Sequence, residues 1–156
     1  LANAISREII LKSSIKSIVG SYDYILIDCP PSLGLLTLNA LTAADGVIIP
    51  IQCEYYALEG LGQLISTIDL IKRHLNSQLT VRGIVLTMFD GRTNLSIQVA
   101  DEVKKFFPEK VFKTIIPRNV RLSEAPSHGK PISTYDSGSR GAKAYGELAK
   151  EVIEGD

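Results

Sequence analysis

The residues best suited to chemistry lie in the run from Tyr22 to Gly34, which reads YDYILIDCPPSLG. Apolar residues from Tyr24 to Ile27 do not alternate with polar ones, a pattern typical of a parallel strand that is buried on both faces. Asp28 follows directly, at the end of the predicted strand where open α/β sheets bind ligands. A carboxylate there suits a hydrated Mg²⁺ ion beside a nucleotide phosphate, and it suits a cap for the next helix equally well. Both interpretations stay open from the pattern alone.

A phosphate-binding loop that would complement Asp28 is absent from the sequence. Neither G-x-x-x-x-G-K-[ST] nor G-x-G-x-x-G occurs, and the one Gly-Lys pair, Gly129-Lys130, is followed by Pro131. The sequence also begins at Leu1, inside a stretch that already has the apolar stripe of a helix. We therefore expect the chain to be the carboxy-terminal part of a longer protein.

Three further segments place polar side chains after predicted strands. Gln52 and Glu54 follow the second strand, where they fit a ligand, a second subunit or a plain loop equally well. Arg92 stands at a loop apex near a helix start and is free to meet an anion, although an exposed arginine is the simpler interpretation. The long polar connection 116–131 carries Asn119, whose amide suits an adenine edge, and Pro117, which suits packing on a base.

Charge and composition narrow the class of protein. The 156 residues have zero net charge, but residues 92–143 hold ten basic and five acidic side chains, a local net of +5. Such an excess attracts nucleic acid or phosphate, although a solvated face is the commoner explanation. No apolar run reaches the ~18 residues that span a bilayer. Cys29 and Cys53 are expected to stay reduced in a cytoplasmic protein.

Alternating strands and helices predict an α/β fold with a mostly parallel sheet, right-handed crossovers and helices on both faces. We expect one domain over residues 1–156. The strands are predicted at 23–28, 46–51, 82–88 and 111–116. The helices are predicted at 3–20, 35–44, 58–75, 94–107 and 140–153, with a short helix after Arg118.

Taken in order, these segments resemble the ParA/Soj chromosome- and plasmid-partitioning ATPases, members of a deviant Walker A class that also contains MinD. The likeness runs from about residue 6 to residue 151. It is carried by LIDCPPSLGLLT at 26–37, PIQCEYYALEGL at 50–61, LTMFD at 86–90, RTNL at 92–95 and IPRNVRLSEAPSHGKP at 116–131. The last block is more similar to chromosomal ParA/Soj than to MinD.

The resemblance implies a P-loop NTPase-like fold whose amino-terminal P-loop portion is missing. It implies ATP and Mg²⁺ as cofactors, with Asp28 matching the Walker B aspartate that holds the magnesium ion through water. Pro117 and Asn119 match positions around the adenine ring. Arg92 and Arg121 match arginines that bind DNA without sequence preference in the ATP-bound dimer.

Partners and location follow from the same resemblance. It implies a homodimer in the full-length protein, nonspecific DNA, a ParB-like centromere-binding partner that stimulates hydrolysis, and a cytoplasmic, nucleoid-associated location without a membrane. Because the loop lysines and the magnesium-binding Ser/Thr lie upstream of these blocks, the isolated chain is expected to be catalytically inactive and to expose an apolar edge. The alternatives are a DNA- or partner-binding regulator without ATPase activity and a MinD-like positioning ATPase.

Overall fold

Strands and helices alternate along residues 7–30, 32, 34–54 and 57–155, which the computed structural model describes. The strands are β1 (Gly46–Gln52), β2 (Thr80–Phe89) and β3 (Val111–Pro117). The helices are α1 (Ile10–Ile15), α2 (Leu35–Ala43), α3 (Ala57–His74), α4 (Asn94–Phe106), α5 (Val120–Glu124), α6 (Ile132–Tyr135) and α7 (Arg140–Glu154). Single 3₁₀ turns lie at Arg7–Ile9, Val19–Ser21 and Ala125–His128. The predicted α/β class is confirmed, and each predicted element from residue 35 onward is present.

The described residues form two compact units. The first contains those up to Val47 together with Gly62–Val81, and the second contains Ile48–Leu61 and the chain from Arg82 onward. Apolar residues fill each unit. Those of the first include Ala40, Leu41, Ile68, Ile71 and Leu79, and those of the second include Ile49, Ile51, Ile84, Leu86, Val99, Val103 and Ile116. The expectation of one domain over residues 1–156 stays a prediction.

Two buried asparagines fasten the first unit. The Asn39 side chain on α2 accepts a hydrogen bond from the Leu11 N–H at 3.1 Å and donates one to the Arg7 carbonyl at 2.8 Å. The Asn76 amide donates to two carbonyls at the end of α2, at 3.0 and 2.7 Å. Because buried polar groups are costly unless they are paired, these bonds fix the ends of α1, α2 and α3 in one arrangement.

The sheet has the strand order β1-β2-β3. β2 and β3 are parallel, with Ile84 opposite Val111 and Leu86 opposite Ile115. Between these pairs β2 advances from 84 to 86 while β3 advances from 111 to 115, so β3 bulges. The bulge leaves backbone N–H groups outside the regular ladder at the open edge of the sheet.

A carboxylate on α7 accepts hydrogen bonds from the backbone N–H groups at that bulge. Glu151 accepts hydrogen bonds from the backbone N–H groups of Lys113 at 2.6 Å and Thr114 at 3.0 Å. Burial alone raises the pKa of Glu151, but these hydrogen bonds outweigh burial and leave the pKa lowered. The final helix, predicted to pack on the sheet, therefore also caps its edge strand.

Two predicted elements differ from the structure. Residues 23–28 belong to no helix or strand, with a bend at Asp23, and Tyr24, Ile25 and Leu26 are 48%, 37% and 88% exposed. A strand exists through its hydrogen-bonded neighbours, so apolar pattern alone does not create one.

The predicted helix 3–20 is a 3₁₀ turn, the short α1 and a second 3₁₀ turn, and its residues 3–6 lie outside the described residues.

In the described part of the chain, no helix combines the length and apolarity that crossing a membrane requires.

The Glu151 cap generates a stability prediction. Glu151→Ala should lower the free energy of unfolding by about 1 kcal/mol at pH 7, because two backbone donors lose a charged acceptor that is partly exposed. Since the folded-state pKa is lowered, the contribution is present above the ordinary carboxyl pKa and is lost as pH falls through the lowered value. Urea unfolding at pH 7 and below about pH 4 measures both effects.

Glu147→Ala is the matched control, since Glu147 is an exposed carboxylate on the same helix. An equal loss of stability in the two variants at pH 7 would contradict the cap.

Candidate functional site

A cleft opens in the second unit, at the carboxyl ends of β1 and β2. Its volume is about 880 Å³, and segments that follow all three strands line it. Two carboxylates and two guanidinium groups face it, from Glu54, Asp90, Arg92 and Arg118. The charged groups that face the cleft therefore balance, two negative against two positive.

The buried hydroxyl of Ser96 joins the ends of two strands. It donates to the Cys53 carbonyl at 3.2 Å, just after β1, and accepts from the Asp90 N–H at 3.4 Å, just after β2. The Ser96 N–H in turn donates to Thr93 Oγ1 at 3.3 Å, which caps α4. One hydroxyl thereby holds the end of β1 to the segment that follows β2, 43 residues further along the chain.

Backbone strain marks the end of β2. Met88 has a φ of 54°, in the left-handed region that non-glycine residues seldom adopt. The register shifts here too, because β2 advances from Leu86 to Phe89 while β3 advances from Ile115 to Pro117. The resulting bulge redirects the chain into the loop that carries Asp90.

Arg92 is paired rather than free, which corrects the sequence-based expectation. Its Nε donates to Asp90 Oδ1 at 2.9 Å and its Nη2 to Asp90 Oδ2 at 2.7 Å. The Arg92 N–H also donates to Oδ1, at 3.1 Å. These hydrogen bonds hold the pKa of Asp90 well below its usual range and raise that of Arg92.

The predicted base-binding residues lie at the end of β3. Pro117 is its last residue and half-buried, and the next N–H, of Arg118, donates to the Phe89 carbonyl at 2.9 Å. The Asn119 side-chain oxygen caps α5 by accepting the Arg121 N–H at 2.8 Å. The Asn119 amide N–H₂ is consequently the end of the side chain that suits a base edge.

Arg118 links this segment to the residues that follow β1. Its Nη2 lies 3.0 Å from Glu54 Oε1, and both side chains are about half exposed. Glu54, left open between ligand, subunit and loop by the sequence, is thus in contact with the residue between Pro117 and Asn119.

Arg121 lies between two carboxylates. Its Nη1 is 2.9 Å from Glu124 Oε2, and its Nε is 3.4 Å from Asp136 Oδ2. Tyr135 donates its hydroxyl to the same Glu124 oxygen at 3.2 Å. The Arg121 hydrogen bond is the main cause of a lowered pKa for Glu124.

Packing fixes the position of α5, which carries Arg121. Gly141 at the start of α7 leaves room for Leu122, since a Cβ there would lie 2.6 Å from Leu122 Cγ. His128 stacks on Tyr135 with ring centroids 5.0 Å apart.

Asp28 belongs to the first unit and is exposed, at the end of the segment 23–28 that forms no strand. The loop after it is tied to α2, because the Thr37 hydroxyl donates to the Ser32 carbonyl at 2.6 Å.

Both cysteines are free thiols. Burial and the neighbouring Asp28 charge raise the pKa of the Cys29 thiol, and burial raises the pKa of the Cys53 thiol.

The donor set partly fits the expected ATP and Mg²⁺. An exposed carboxylate such as Asp28 suits a magnesium ion that keeps its waters, and a free amide beside a half-buried proline suits an adenine edge. The sequence contains no phosphate-cradling loop. No cluster of three or more His, Cys, Asp or Glu side chains able to hold a metal occurs within the described residues.

The sequence-based candidates Asp28, Arg92, Pro117, Asn119 and Arg121 stay predictions, and the residues that position them were not predicted. The structure places the last four in the second unit and Asp28 in the first. Ser96 and Thr37 were missed because a hydroxyl in the first turn of a helix indicates a cap and says nothing of distant carbonyls. The T-x-x-S spacing at 93–96 signals only the cap.

A family model described as an AAA domain matches residues 1–81, just over half of the chain. The chain belongs to that family. It is 65% identical over 152 residues to the sporulation initiation inhibitor protein Soj of Bacillus subtilis, covering 97% of this chain and 60% of that protein. It is 57% identical over 156 residues to the chromosome partitioning protein ParA of Myxococcus xanthus, covering 100% of this chain and 55% of that protein.

A solved structure of a related protein has a similar fold. Cobyrinic acid a,c-diamide synthase from Mycobacterium smegmatis, with bound ATP analogue and magnesium, superposes with a TM-score of 0.80 and 36% identity over 98% of this chain and 55% of that one. The predicted homology to ParA/Soj ATPases is therefore confirmed. The chain spans between about half and three fifths of the length of these proteins.

Proposed function

We propose that the chain is the carboxy-terminal part of a ParA-like ATPase that partitions DNA. The observation that carries the proposal is 65% identity to Soj across 97% of the chain, because the shared stretch includes every block that holds a candidate site residue. In this proposal the full-length protein binds ATP and Mg²⁺, dimerises, binds DNA without sequence preference and responds to a ParB-like partner in the cytoplasm, on the nucleoid.

Asp28 has the electrostatic role in nucleotide binding. Magnesium neutralises charge on the nucleotide phosphates. The exposed Asp28 carboxylate accepts hydrogen bonds from the water that such an ion retains. Thr37 supports this role, since its bond to the Ser32 carbonyl holds the loop that follows Asp28 against α2.

Pro117 and Asn119 have the base-binding role. The end of β3 fixes Pro117, and the cap of α5 fixes the Asn119 side chain with its N–H₂ group still available as a donor. An amide donor beside an apolar ring fits one edge and one face of an adenine.

DNA binding uses Arg92 and Arg121. Both side chains are exposed, at 88% and 55%, and both belong to the second unit, which contains the basic stretch 92–143. Arginine binds phosphate oxygens through the fork of its guanidinium group, and such contacts carry no sequence preference.

The chain by itself is proposed to be inactive as an ATPase. Phosphoryl transfer depends on charge neutralisation by loop lysines and on a Ser/Thr ligand to magnesium, and the sequence contains no such loop. A regulator that binds DNA or a partner without hydrolysis is the competing function, and DNA retention by the isolated chain without nucleotide would favour it.

The first prediction concerns DNA. The full-length protein should bind nonspecific duplex DNA in the presence of ATP, with affinity that falls steeply as salt rises. Arg92→Glu and Arg121→Glu should each reduce that binding by at least about tenfold, because each replaces a phosphate contact by a repulsive charge. Filter binding measures the retention, and fluorescent ATP analogue titration should give unchanged nucleotide affinity.

Arg73→Glu controls for net charge, since Arg73 is an exposed arginine on α3 in the first unit. Unchanged retention by both Arg92→Glu and Arg121→Glu would contradict the DNA-binding assignment.

The second prediction concerns Asp28. Asp28→Ala in the full-length protein should reduce magnesium-dependent ATP hydrolysis by about 100-fold, because the ion loses the group that holds it. Phosphate release measures turnover. Asp23→Ala is the control, since Asp23 is an exposed carboxylate five residues earlier in the same segment. Normal hydrolysis by Asp28→Ala would remove Asp28 from the site.

A further inference from the structure

Both arginines assigned to DNA are held by carboxylates that lie close to them in sequence. Arg92 meets Asp90, two residues earlier, and Arg121 meets Glu124, three residues later. Neither partner was expected, because each arginine stands at a loop or helix start where solvent is available to it.

Arg92 contacts Asp90 through the edge of its guanidinium group that carries Nε and Nη2. Nε and Nη2 donate together to the two oxygens of Asp90, at 2.9 and 2.7 Å. This is the same two-pronged edge that an arginine presents to a phosphate. A phosphate that binds Arg92 in this way must therefore displace Asp90.

The carboxylate is the fixed member of that pair. The Asp90 side chain is 17% exposed, whereas that of Arg92 is 88% exposed. The Asp90 N–H bonds Ser96, its carbonyl accepts the Thr93 N–H at 3.0 Å, and its Oδ1 accepts the Arg92 N–H. Only the guanidinium end of Arg92 is free to leave.

Arg121 repeats the arrangement with two carboxylates. Glu124 lies 2.9 Å from Nη1 and Asp136 lies 3.4 Å from Nε. The Tyr135 hydroxyl bonds Glu124 and restrains it. One guanidinium between two carboxylates carries a local charge of −1, which repels a phosphate.

We propose that Asp90 and Glu124 compete with DNA phosphate for Arg92 and Arg121, so that they weaken DNA binding and set its salt dependence. The inference rests on the proposed function, since it takes DNA as the ligand of the two arginines. An exposed ion pair is weakly stable, so a phosphate displaces it at modest cost. The carboxylates act on affinity and do not touch the DNA.

The test removes each negative charge and keeps each hydrogen-bond acceptor. Asp90→Asn retains the oxygen that accepts the Arg92 N–H, and Glu124→Gln retains one for the Tyr135 hydroxyl. In the full-length protein with ATP, each variant should lower the Kd for nonspecific duplex DNA about threefold to fivefold near 0.1 M salt. The slope of log K against log salt should steepen, because each variant removes one negative charge beside an arginine that contacts phosphate.

Controls separate local competition from overall charge. Asp101→Asn on α4 and Glu147→Gln on α7 remove one exposed negative charge each, on elements of the second unit that carry neither arginine. An equal gain from these controls, or unchanged or weaker binding by Asp90→Asn and Glu124→Gln, would overturn the inference while leaving the proposed function intact. Absence of ATP-dependent DNA retention in the wild-type protein and all variants would contradict the proposed function and the inference together.

Discussion

The candidate site in the second unit depends on the buried hydroxyl of Ser96. It donates to the Cys53 carbonyl and accepts the Asp90 N–H, so one side chain fastens the ends of β1 and β2 to the first turn of α4. Ser96 is 5% exposed. Without its hydroxyl, the Cys53 carbonyl and the Asp90 N–H would lose a hydrogen bond in a buried place, which lowers the stability of the fold. The positions of Glu54, Asp90 and Arg92 follow from that junction.

Irregular pairing between β2 and β3 affects the loops that carry the other candidate residues. One bulge places extra residues in β3 and is satisfied by Glu151 from α7, while the other places Met88 at a φ of 54° before Asp90. Bulges bend strands and redirect the loops that follow them. The connections after β2 and β3, which carry Arg92 and Arg121, leave the sheet at angles that regular pairing would not give.

The sequence predicted the helices and strands that depend on local residue pattern. It did not predict the features that depend on hydrogen bonds to other segments. The strands 46–51, 82–88 and 111–116 and four helices from residue 35 onward were predicted within a few residues, because their apolar periodicity matches their burial. The strand at 23–28 was not found, because a strand requires a neighbouring strand that pattern does not guarantee. The pairing of Asp90 with Arg92 was not predicted, although an Asp whose side chain accepts the N–H two residues on is a recognised local motif. The Ser96 bonds join residues up to 43 positions apart, which no local signal encodes.

The central claim is that these segments belong to a ParA-like ATPase whose phosphate-binding loop precedes them. Sequencing the coding DNA upstream of the codon for Leu1 tests it most directly. We expect an in-frame G-x-x-x-x-G-K-[ST] motif within about 100 residues upstream. A start codon immediately before Leu1, with no such motif in frame, would contradict it and leave a chain that acts by binding alone.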